Sequence, residues 1–261
     1  MKQQTAPIPP IFATAEAQSQ GQRLAEQLHT PLLTTEPEEK QPYLKLTAAG
    51  LALTDGKLAL KGDFTTLLPR LKQTNLEREL LVKAAHIKGL TEMPTVIDAT
   101  AGLGEDSLLL AAAGFRVTLC EYDPVIAALL ADALRRGIAR PELAPVIGRM
   151  TLYVGDSIAY FQKLSEPPHV IYLDPMFPER RKSALVKKKF QLLQQLEYPC
   201  NNEAELLTAA LQLHPRKIII KRPLKGPYLA GRKPSHSFSG KAVPYDCIVL
   251  PPKNASQTFE E

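Results

Sequence analysis

The sequence predicts an α/β fold in which helices cover both faces of a largely parallel sheet, with a small β-rich cap at the N-terminus. From Pro94 onward, apolar runs of strand length alternate with runs of helical periodicity, and such alternation forms parallel sheets through right-handed crossovers. Several of the predicted strands end directly in acidic residues. The first 65 residues contain only short β signals separated by Pro and Gly. We therefore divide the chain into a cap, residues 1–65, and a larger domain, residues 66–261.

The cap has three stretches with strand character, PLLTTE, YLKLTAAG and LALTDGKLALKG. In the last of them, Asp55-Gly56 lies between alternating apolar runs, a pattern typical of a two-residue type I′ hairpin. The cap is therefore expected to be antiparallel. A single helix is predicted to follow from about Thr66 to Lys88, because its apolar residues form one helical stripe and Pro69 falls in its first turn.

Five strands and two helices are predicted in the larger domain. The strands are TVIDAT, RVTLCEYD, MTLYVGDS, HVIYLDP and RKIIIKRP, and the helices lie in AGLGEDSLLLAAAG and PVIAALLADALRRG. In parallel sheets of this kind, ligands bind beyond the carboxyl ends of the strands. The residues at these ends that we assign to a ligand site are Asp98, Gly102, Gly104, Glu105, Asp106, Glu121, Asp156, Ser157 and Asp174.

The chemistry of these positions favours a nucleoside with a cationic or hydroxyl-bearing end over a pyrophosphate. The glycines of the GLGED turn allow the backbone to approach a ligand closely, but Ser107 stands where a pyrophosphate-binding turn prefers a third glycine. The two acids of the turn would repel phosphate. Glu121 is placed to accept hydrogen bonds from a ribose diol, and Asp156 from an adenine amine. Each acid equally fits a turn or a helix N-cap, and the spacing leaves both interpretations open.

Composition argues against several other classes. With 44% hydrophobic and 23% charged residues, the chain is typical of a globular protein. It has no apolar run long enough to span a membrane and no apolar export signal, so we expect a cytoplasmic protein. Cys120, Cys200 and Cys247 are far apart and the five His are scattered, so neither a disulfide framework nor a metal site is expected.

Positive charge is concentrated in one segment. Residues 180–241 carry fourteen Lys and Arg against three Glu. A surplus of this density is typical of a surface that binds a polyanion, although a solvated basic face would give the same count. The segment begins shortly after DPMF, Asp174 to Phe177, which closes the fourth predicted strand.

The order of these motifs resembles that of the class I S-adenosylmethionine-dependent methyltransferases. Asp98-x-x-x-Gly102-x-Gly104 is followed by Glu121, Asp156 and DPMF. DPMF is similar to the Asn/Asp-Pro-Pro-aromatic motif of enzymes that methylate exocyclic amines. More narrowly, GLGEDS, LCEYDPVIAALL, YLDPMFP, KSALVKKK and KRP resemble the ribosomal RNA small subunit methyltransferase J family over roughly residues 96–223.

The resemblance implies a Rossmann-like class I methyltransferase domain with S-adenosylmethionine as cofactor and 16S ribosomal RNA, or the small ribosomal subunit, as substrate. The methyl group would go to the exocyclic N2 amine of a guanine. The family pattern implies cofactor contacts at Glu105, Asp106, Glu121, Tyr122, Asp156, Ser157 and Asp174, beside the turn residues Asp98, Gly102 and Gly104.

The chemistry of such a reaction assigns three catalytic residues, Asp174, Pro175 and Phe177. The N2 amine of guanine is a poor nucleophile because its lone pair is delocalised into the ring. The Asp174 carboxylate and the Pro175 carbonyl would accept its two protons, and Phe177 would stack on a flipped-out base. The cations predicted to hold the flanking phosphates are Arg180, Arg181, Lys182, Lys187, Lys188, Lys189, Lys221 and Arg222.

Three other functions fit parts of the pattern. A nicotinamide-dependent oxidoreductase would use a glycine turn and Glu121, but it would leave DPMF unexplained. A methyltransferase for an amine or amide of another nucleic acid or of a protein would share the cofactor site and DPMF. A non-catalytic RNA-binding module on the same fold would keep the basic segment. The acids at the strand ends weigh against this last alternative, and cofactor binding would distinguish it.

Overall fold

Two β-sheets organise the part of the chain that the structure, a computed structural model, describes: residues 7–38, 41–175, 203–240 and 243–251. The strands are β1 (Ile11–Ala13), β2 (Leu32–Leu33), β3 (Tyr43–Thr47), β4 (Gly50–Thr54), β5 (Ala59–Leu60), β6 (Thr95–Asp98), β7 (Arg116–Glu121), β8 (Met150–Val154), β9 (Val170–Leu173), β10 (Lys217–Lys221), β11 (His236–Phe238) and β12 (Tyr245–Val249). The helices are α1 (Gln18–Leu28), α2 (Leu68–Leu71), α3 (Gln73–Leu76), α4 (Leu80–Ala85), α5 (Glu105–Ala112), α6 (Pro124–Ile138), α7 (Ala144–Ile147), α8 (Ser157–Phe161) and α9 (Glu203–Gln212), with 3-10 turns at Ala15–Ala17, Phe64–Leu67 and Leu229–Gly231. None of the helices in these ranges is long and apolar enough to cross a membrane.

The larger sheet has the strand order β8-β7-β6-β9-β10-β12-β11. The first five of these strands are parallel, and β12 runs antiparallel to both of its neighbours. All five strands predicted from the sequence are present, whereas β11 and β12 were not predicted. The strand order reverses between β6 and β9, which makes their carboxyl ends the topological switch point where such sheets bind ligands. Asp98 ends β6 and Asp174 directly follows β9.

Alternate residues of the central strands face two separate hydrophobic cores. In β9, Val170 and Tyr172 belong to the core on one face, whereas Ile171 and Leu173 belong to the core on the other. The residues of β10 alternate in the same way. A parallel sheet covered by helices is buried on both faces, which is why these strands are continuous apolar runs in the sequence. The predicted α/β architecture is confirmed.

Helix α6 lies between the two sheets. Val125 and Leu129 pack in the core of the smaller sheet, whereas Leu130 and Ala133 pack in the core of the larger one. A helix with apolar residues around most of its circumference is buried on more than one side. The N-terminal sheet is thus joined to the larger sheet by a shared helix, and the domain boundary at residue 65 stays a prediction.

The N-terminal sheet is mixed rather than antiparallel, which corrects the expectation from the sequence. Its order is β2-β1-β3-β4-β5, with β1 parallel to both β2 and β3. Strand β1, helix α1 and strand β2 form a βαβ unit. The sequence did not indicate this unit, because β1 has only three residues and α1 is mostly polar.

The turn at Asp55-Gly56 is not the type I′ hairpin that the sequence predicted. Type I′ requires a positive φ at both central residues, and of these two only Gly56 has one, at 87°. The Asp55 carboxylate instead accepts hydrogen bonds from the backbone N–H groups of Lys57 and Leu58, at 2.9 and 2.7 Å. Asp thus stabilises this longer loop through its side chain, which is a frequent alternative use of the same residue.

The single helix predicted from Thr66 to Lys88 is wrong, since this stretch contains the separate helices α2, α3 and α4. The breaks fall at Lys72 and Glu79, whose ψ angles of 134° and 125° are extended. A two-pronged ion pair between Arg70 and Glu79, at 2.7 and 2.9 Å, joins the two sides. Most of the apolar stripe still packs on the larger core. A stripe at helical spacing therefore does not distinguish one long helix from several short helices that share a core.

Asp132 of α6 connects this helix to the N-terminal sheet by a hydrogen bond. Its Oδ2 atom accepts hydrogen bonds from the backbone N–H of Leu51 in β4, at 2.9 Å, and from Arg136 Nε, at 2.7 Å. Its Oδ1 atom accepts one from Arg135 Nη2, at 2.7 Å. Burial alone would raise the pKa of Asp132, but these hydrogen bonds outweigh it and lower the pKa below its usual value.

Asp132→Ala should lower the free energy of unfolding by about 2–4 kcal/mol, because it leaves a buried N–H and a partly buried guanidinium without their acceptor. Arg135→Ala is the matched control. Its side chain is 56% exposed, so removing it should cost less than about 1 kcal/mol. Urea denaturation of both variants measures the difference. Equal losses would mean that Asp132 contributes no more than a surface ion pair.

Candidate active site

The glycine turn between β6 and α5 is crowded on one side and open on the other. Gly104, the N-cap of α5, has a φ of 78°, and a Cβ there would lie 2.7 Å from Leu130 Cδ1. Gly102 has a φ of 55°, but a Cβ there would meet nothing within 4 Å. Both positions favour glycine for its backbone conformation. Glu105 is exposed at the start of α5, so the turn leaves room for a ligand above Gly102.

Glu121, at the end of β7, is fixed against this turn. Its Oε2 accepts a hydrogen bond from the backbone N–H of Gly102 at 2.8 Å, and its Oε1 accepts one from that of Asp123 at 2.8 Å. Tyr122 beside it is 54% exposed. The carboxylate is therefore held in position beside the open space, and a carboxylate has lone pairs for more than two donors.

Asp156 and Ser157 lie at the same edge of the sheet, one strand further out. The backbone N–H of Gly155 binds the carbonyl of Glu121 at 2.8 Å, which brings the end of β8 next to that of β7. Asp156 is the N-cap of α8, since its Oδ1 accepts a hydrogen bond from Ile158 N at 2.9 Å. The capping interpretation, left open by the sequence, is therefore confirmed, and the contact with an adenine amine stays a prediction.

Asp98 is buried beneath the turn. Ser107 Oγ donates to its Oδ2 at 2.6 Å, and Thr100 N donates to its Oδ1 at 3.2 Å. Burial raises the pKa of Asp98 to about 7, and the nearby Asp106 and Asp174 carboxylates add to this effect. Ser107, which stands where a pyrophosphate-binding turn has a third glycine, thus supplies the hydroxyl that holds Asp98.

Lys221 connects two of the predicted site carboxylates. Its Nζ lies 2.7 Å from Asp106 Oδ2 and 2.8 Å from Asp174 Oδ2. Tyr172 donates its hydroxyl to Asp106 Oδ2 at 2.6 Å, and Thr100 Oγ1 accepts the backbone N–H of Asp174 at 2.7 Å. We call Lys221, Asp106 and Asp174 the ion cluster.

The ion cluster keeps Lys221 charged. Burial alone would lower the pKa of Lys221, but the Asp106 and Asp174 carboxylates outweigh it and raise this pKa well above its usual value. Tyr245 lies close by, and burial together with the Asp106 charge raises the pKa of its hydroxyl. It lines a cleft of about 330 Å³ with residues that include Arg70.

The structure gives Lys221 and Arg222 intramolecular partners, and the phosphate contacts that the sequence suggested for them stay predictions. Lys221 belongs to the ion cluster. Arg222 Nε binds Asp246 Oδ2 at 2.7 Å, its Nη1 binds the Gly226 carbonyl at 2.9 Å, and its side chain is only 12% exposed. Sequence shows the charge of a residue but not its partner. Lys221 stands at the end of a predicted strand, as the site acids do, and this position could have indicated a role in the site.

Part of the predicted site lies outside the described residues. Pro175 follows Asp174 and is buried. The residues beyond the described range are Phe177, Arg180, Arg181, Lys182, Lys187, Lys188 and Lys189. Their proposed roles stay predictions. Among the residues that the structure describes, no group of three or more His, Cys, Asp or Glu side chains is arranged to hold a metal ion.

Replacing Asp98 by Asn should stabilise the protein increasingly as the pH rises from 5 to 7. An unfolded Asp ionises near pH 4, whereas burial raises the pKa of Asp98 in the folded protein to about 7. Between these values the unfolded state releases its proton and the folded state keeps it, so wild-type stability falls as the pH rises. Asn can keep the hydrogen bonds and does not titrate.

We expect the difference in free energy of unfolding between Asp98→Asn and wild type to grow by about 1–3 kcal/mol from pH 5 to pH 7 and then to level off. Urea denaturation at each pH measures it. A difference that does not change with pH would show that Asp98 is already ionised in the folded protein.

Comparison with known proteins agrees with this geometry. A family model described as "Putative SAM-dependent methyltransferase" matches residues 26–250. The chain is 41% identical to Ribosomal RNA small subunit methyltransferase J of Thioalkalivibrio sulfidiphilus, over 91% of this chain and 96% of that protein. It is 37% identical to the protein of the same name from Neisseria meningitidis, over 83% of this chain and 87% of that protein.

A solved structure has the same fold. The crystal structure of a SAM-dependent methyltransferase from Neisseria gonorrhoeae matches with a TM-score of 0.74 and 30% sequence identity, over 97% of this chain and 99% of that one. The strand ends that carry the candidate site thus belong to a methyltransferase sheet. The chain belongs to the family of S-adenosylmethionine-dependent methyltransferases that contains ribosomal RNA small subunit methyltransferase J.

Proposed function

We propose that this methyltransferase acts on the exocyclic N2 amine of a guanine in the ribosomal RNA of the small subunit. The names of its relatives support the RNA, and the resemblance of its motifs supports the guanine. The observation that carries the proposal is the position of Asp174. Its carboxylate lies at the switch point of the sheet and shares the ammonium of Lys221 with Asp106, a predicted cofactor residue.

The residues of the site fit S-adenosylmethionine. The open space above Gly102 is bordered by the Glu121 carboxylate, which can accept hydrogen bonds from both hydroxyls of a ribose. Asp156 places a second carboxylate at the end of β8, the neighbouring strand. Tyr122, which directly follows Glu121, exposes its ring. When bound, S-adenosylmethionine supplies a methyl group on a sulfonium, which is electrophilic without further activation.

The work of the protein is then to prepare the amine. Asp174 accepts one proton of the N2 amine in a hydrogen bond, and the carbonyl of Pro175 accepts the other. The nitrogen becomes more pyramidal, so that its lone pair is directed away from the ring. Positioning of this kind lowers the activation barrier by up to about 7–11 kcal/mol when the partners are well aligned.

Lys221 controls the charge of Asp174. Its ammonium lies 2.7 Å from a carboxylate oxygen of Asp106 and 2.8 Å from one of Asp174, so it stabilises negative charge on both side chains. Once its nitrogen had bonded to the methyl carbon, with the carbon–sulfur bond broken, the amine would carry a positive charge and would lose a proton to Asp174 or to water. An ionised Asp174 is suited to stabilise that charge and to take the proton.

The proposal includes residues beyond the described range. Phe177 stacks on the flipped-out guanine, at roughly 1–3 kcal/mol per stacked base, and the cations that follow it neutralise flanking phosphates. A methyltransferase for an amine or amide of a different nucleic acid or of a protein is the second candidate, because it would use the same clamp.

Asp174→Ala should lower kcat at least tenfold, which corresponds to about 1.4 kcal/mol or more of lost transition-state stabilisation. Asp174→Asn, which keeps the shape and one acceptor oxygen, should lie between the alanine variant and wild type. The assay is transfer of labelled methyl groups to small subunits from cells without this activity, followed by mapping of the labelled base. The midpoint of urea denaturation of each variant is the control for folding.

Label in another base or in protein would contradict the proposed substrate. An Asp174→Ala variant that keeps more than a tenth of wild-type kcat would contradict the clamp.

Lys221→Met should shift the acid limb of the kcat/KM profile upward by about one pH unit or more, because a carboxylate that loses a neighbouring ammonium holds its proton more tightly. Lys221→Arg keeps the charge and should keep the limb near its wild-type position. A purely structural role for Lys221 would lower the whole profile without moving it along the pH axis, and that outcome would refute charge control.

A further inference from the structure

A second basic surface adjoins the ion cluster. Residues 222–245, between β10 and β12, contain five Lys or Arg and no Asp or Glu. The next acid in the chain is Asp246, which is buried and paired with Arg222. No carboxylate of this segment therefore offsets its positive charge at the surface.

Buried contacts fix the shape of this segment. The Asp246 carboxylate accepts hydrogen bonds from Arg222 Nε at 2.7 Å and from Ser237 Oγ at 2.6 Å. Arg222 also binds the carbonyl of Gly226 at 2.9 Å, and Leu229 is buried in the core on that face of the sheet. Arg222 thus connects the loop at Gly226 to strand β12 at Asp246.

The supported loop exposes a mixture of cations and apolar groups. Leu224 is 51% exposed and Tyr228 is 40% exposed. The guanidinium carbon of Arg222 lies 5.1 Å from the centre of the Tyr228 ring, which orients this ring by a cation–π contact. Lys225, Arg232 and Lys233 are exposed in the same loop. We call Leu224, Lys225, Tyr228, Arg232 and Lys233 the loop surface.

The loop surface starts at the active site. Residue 222 directly follows Lys221, whose Nζ lies 2.8 Å from Asp174. The loop leaves β10 at the carboxyl end of the sheet, which is the edge that carries the ion cluster. From there the loop runs back along the sheet to β11, since Ser235 binds Cys247 and Val249 of β12, so Arg232 and Lys233 lie further from the ion cluster than Lys225 and Tyr228 do. A single strand of several nucleotides whose reactive base reaches Asp174 meets Lys225 and Tyr228 first and extends to Arg232 and Lys233.

We propose that the loop surface binds a single-stranded RNA segment next to the target nucleotide, an inference that rests on the proposed function. Lys225, Arg232 and Lys233 neutralise phosphates, and the Tyr228 ring stacks on an unpaired base. Exposed aromatic rings among cations are the usual means of binding single strands, because every base has a face for stacking. A basic loop that is only solvated does not account for the exposed Tyr228 ring, which Arg222 of the buried ion pair with Asp246 orients.

The first test is a salt titration of RNA binding with the full chain. The triple variant Lys225→Ala, Arg232→Ala, Lys233→Ala is compared with Arg23→Ala, Arg116→Ala, Arg140→Ala. The control cations are also exposed. Arg116 opens β7, which is separated from β11 by four strands of the larger sheet, and Arg23 lies in α1, so neither belongs to the region between β10 and β12. Both variants change the net charge equally.

The plot of log affinity against log salt should flatten by about 1.4–2.1 in the loop-surface variant, since single strands contribute roughly 0.7 per phosphate contact. The control variant should keep the wild-type slope. Parallel slopes for the two variants would overturn the proposal.

The second test separates stacking from charge. Tyr228→Ala should weaken binding of a 16S ribosomal RNA transcript about 5- to 150-fold, the range for one lost stacked base, without changing the salt slope. Tyr228→Phe keeps the ring and should bind as wild type does. Equal affinity of the Ala and Phe variants would remove the stacking role and overturn the proposal.

Methyl transfer by the wild type distinguishes this inference from the proposed function. If wild type methylates small-subunit RNA and the loop-surface variant binds that RNA as tightly as the control variant does, the inference fails alone. If wild type transfers no methyl group to this RNA, the proposed function fails first. A loop-surface variant that loses affinity for intact small subunits but not for the naked transcript would assign the surface to a protein partner and overturn the RNA assignment.

Discussion

A single ammonium between two carboxylates organises the active edge of this protein. Lys221 ends β10, Asp174 follows β9, and Asp106 lies in the first turn of α5. The three side chains come from three elements, so their contact fixes these elements relative to one another. The cation between the two carboxylates stabilises negative charge on both acids. The charge state of the proposed catalytic acid therefore depends on the residue at the end of a neighbouring strand.

Topology brings this cluster together. In the pairing of β9 with β10, Leu173 lies opposite Ile220, so the next residue of each strand, Asp174 and Lys221, are neighbours at the carboxyl edge. The switch in strand order places Asp98 of β6 beside them. The surroundings of Asp98 and Asp174 differ. Asp98 is buried with a raised pKa, whereas Asp174 has a cation.

The sequence was a good guide where long apolar runs and strand ends coincide. Five strands, two helices and the acids at the switch point follow from that pattern, because burial on both faces leaves a strong signal. It was a poor guide where short elements share one core, as in the broken stretch around Lys72 and Glu79 and in the βαβ unit of the N-terminal sheet. It also could not give the partners of Lys221 and Arg222, since the choice between a phosphate and an internal carboxylate depends on distances that only the folded chain defines.

The position of α6 has a consequence for how the protein opens. This helix contributes apolar residues to the cores of both sheets. Separation of either sheet from the helix would therefore expose apolar surface of α6 to water. We therefore expect the amide hydrogens of β4, although β4 is far in sequence from the reactive edge, to exchange with solvent mainly through global unfolding. The shared helix thus favours unfolding of the N-terminal sheet and the larger sheet as one cooperative unit.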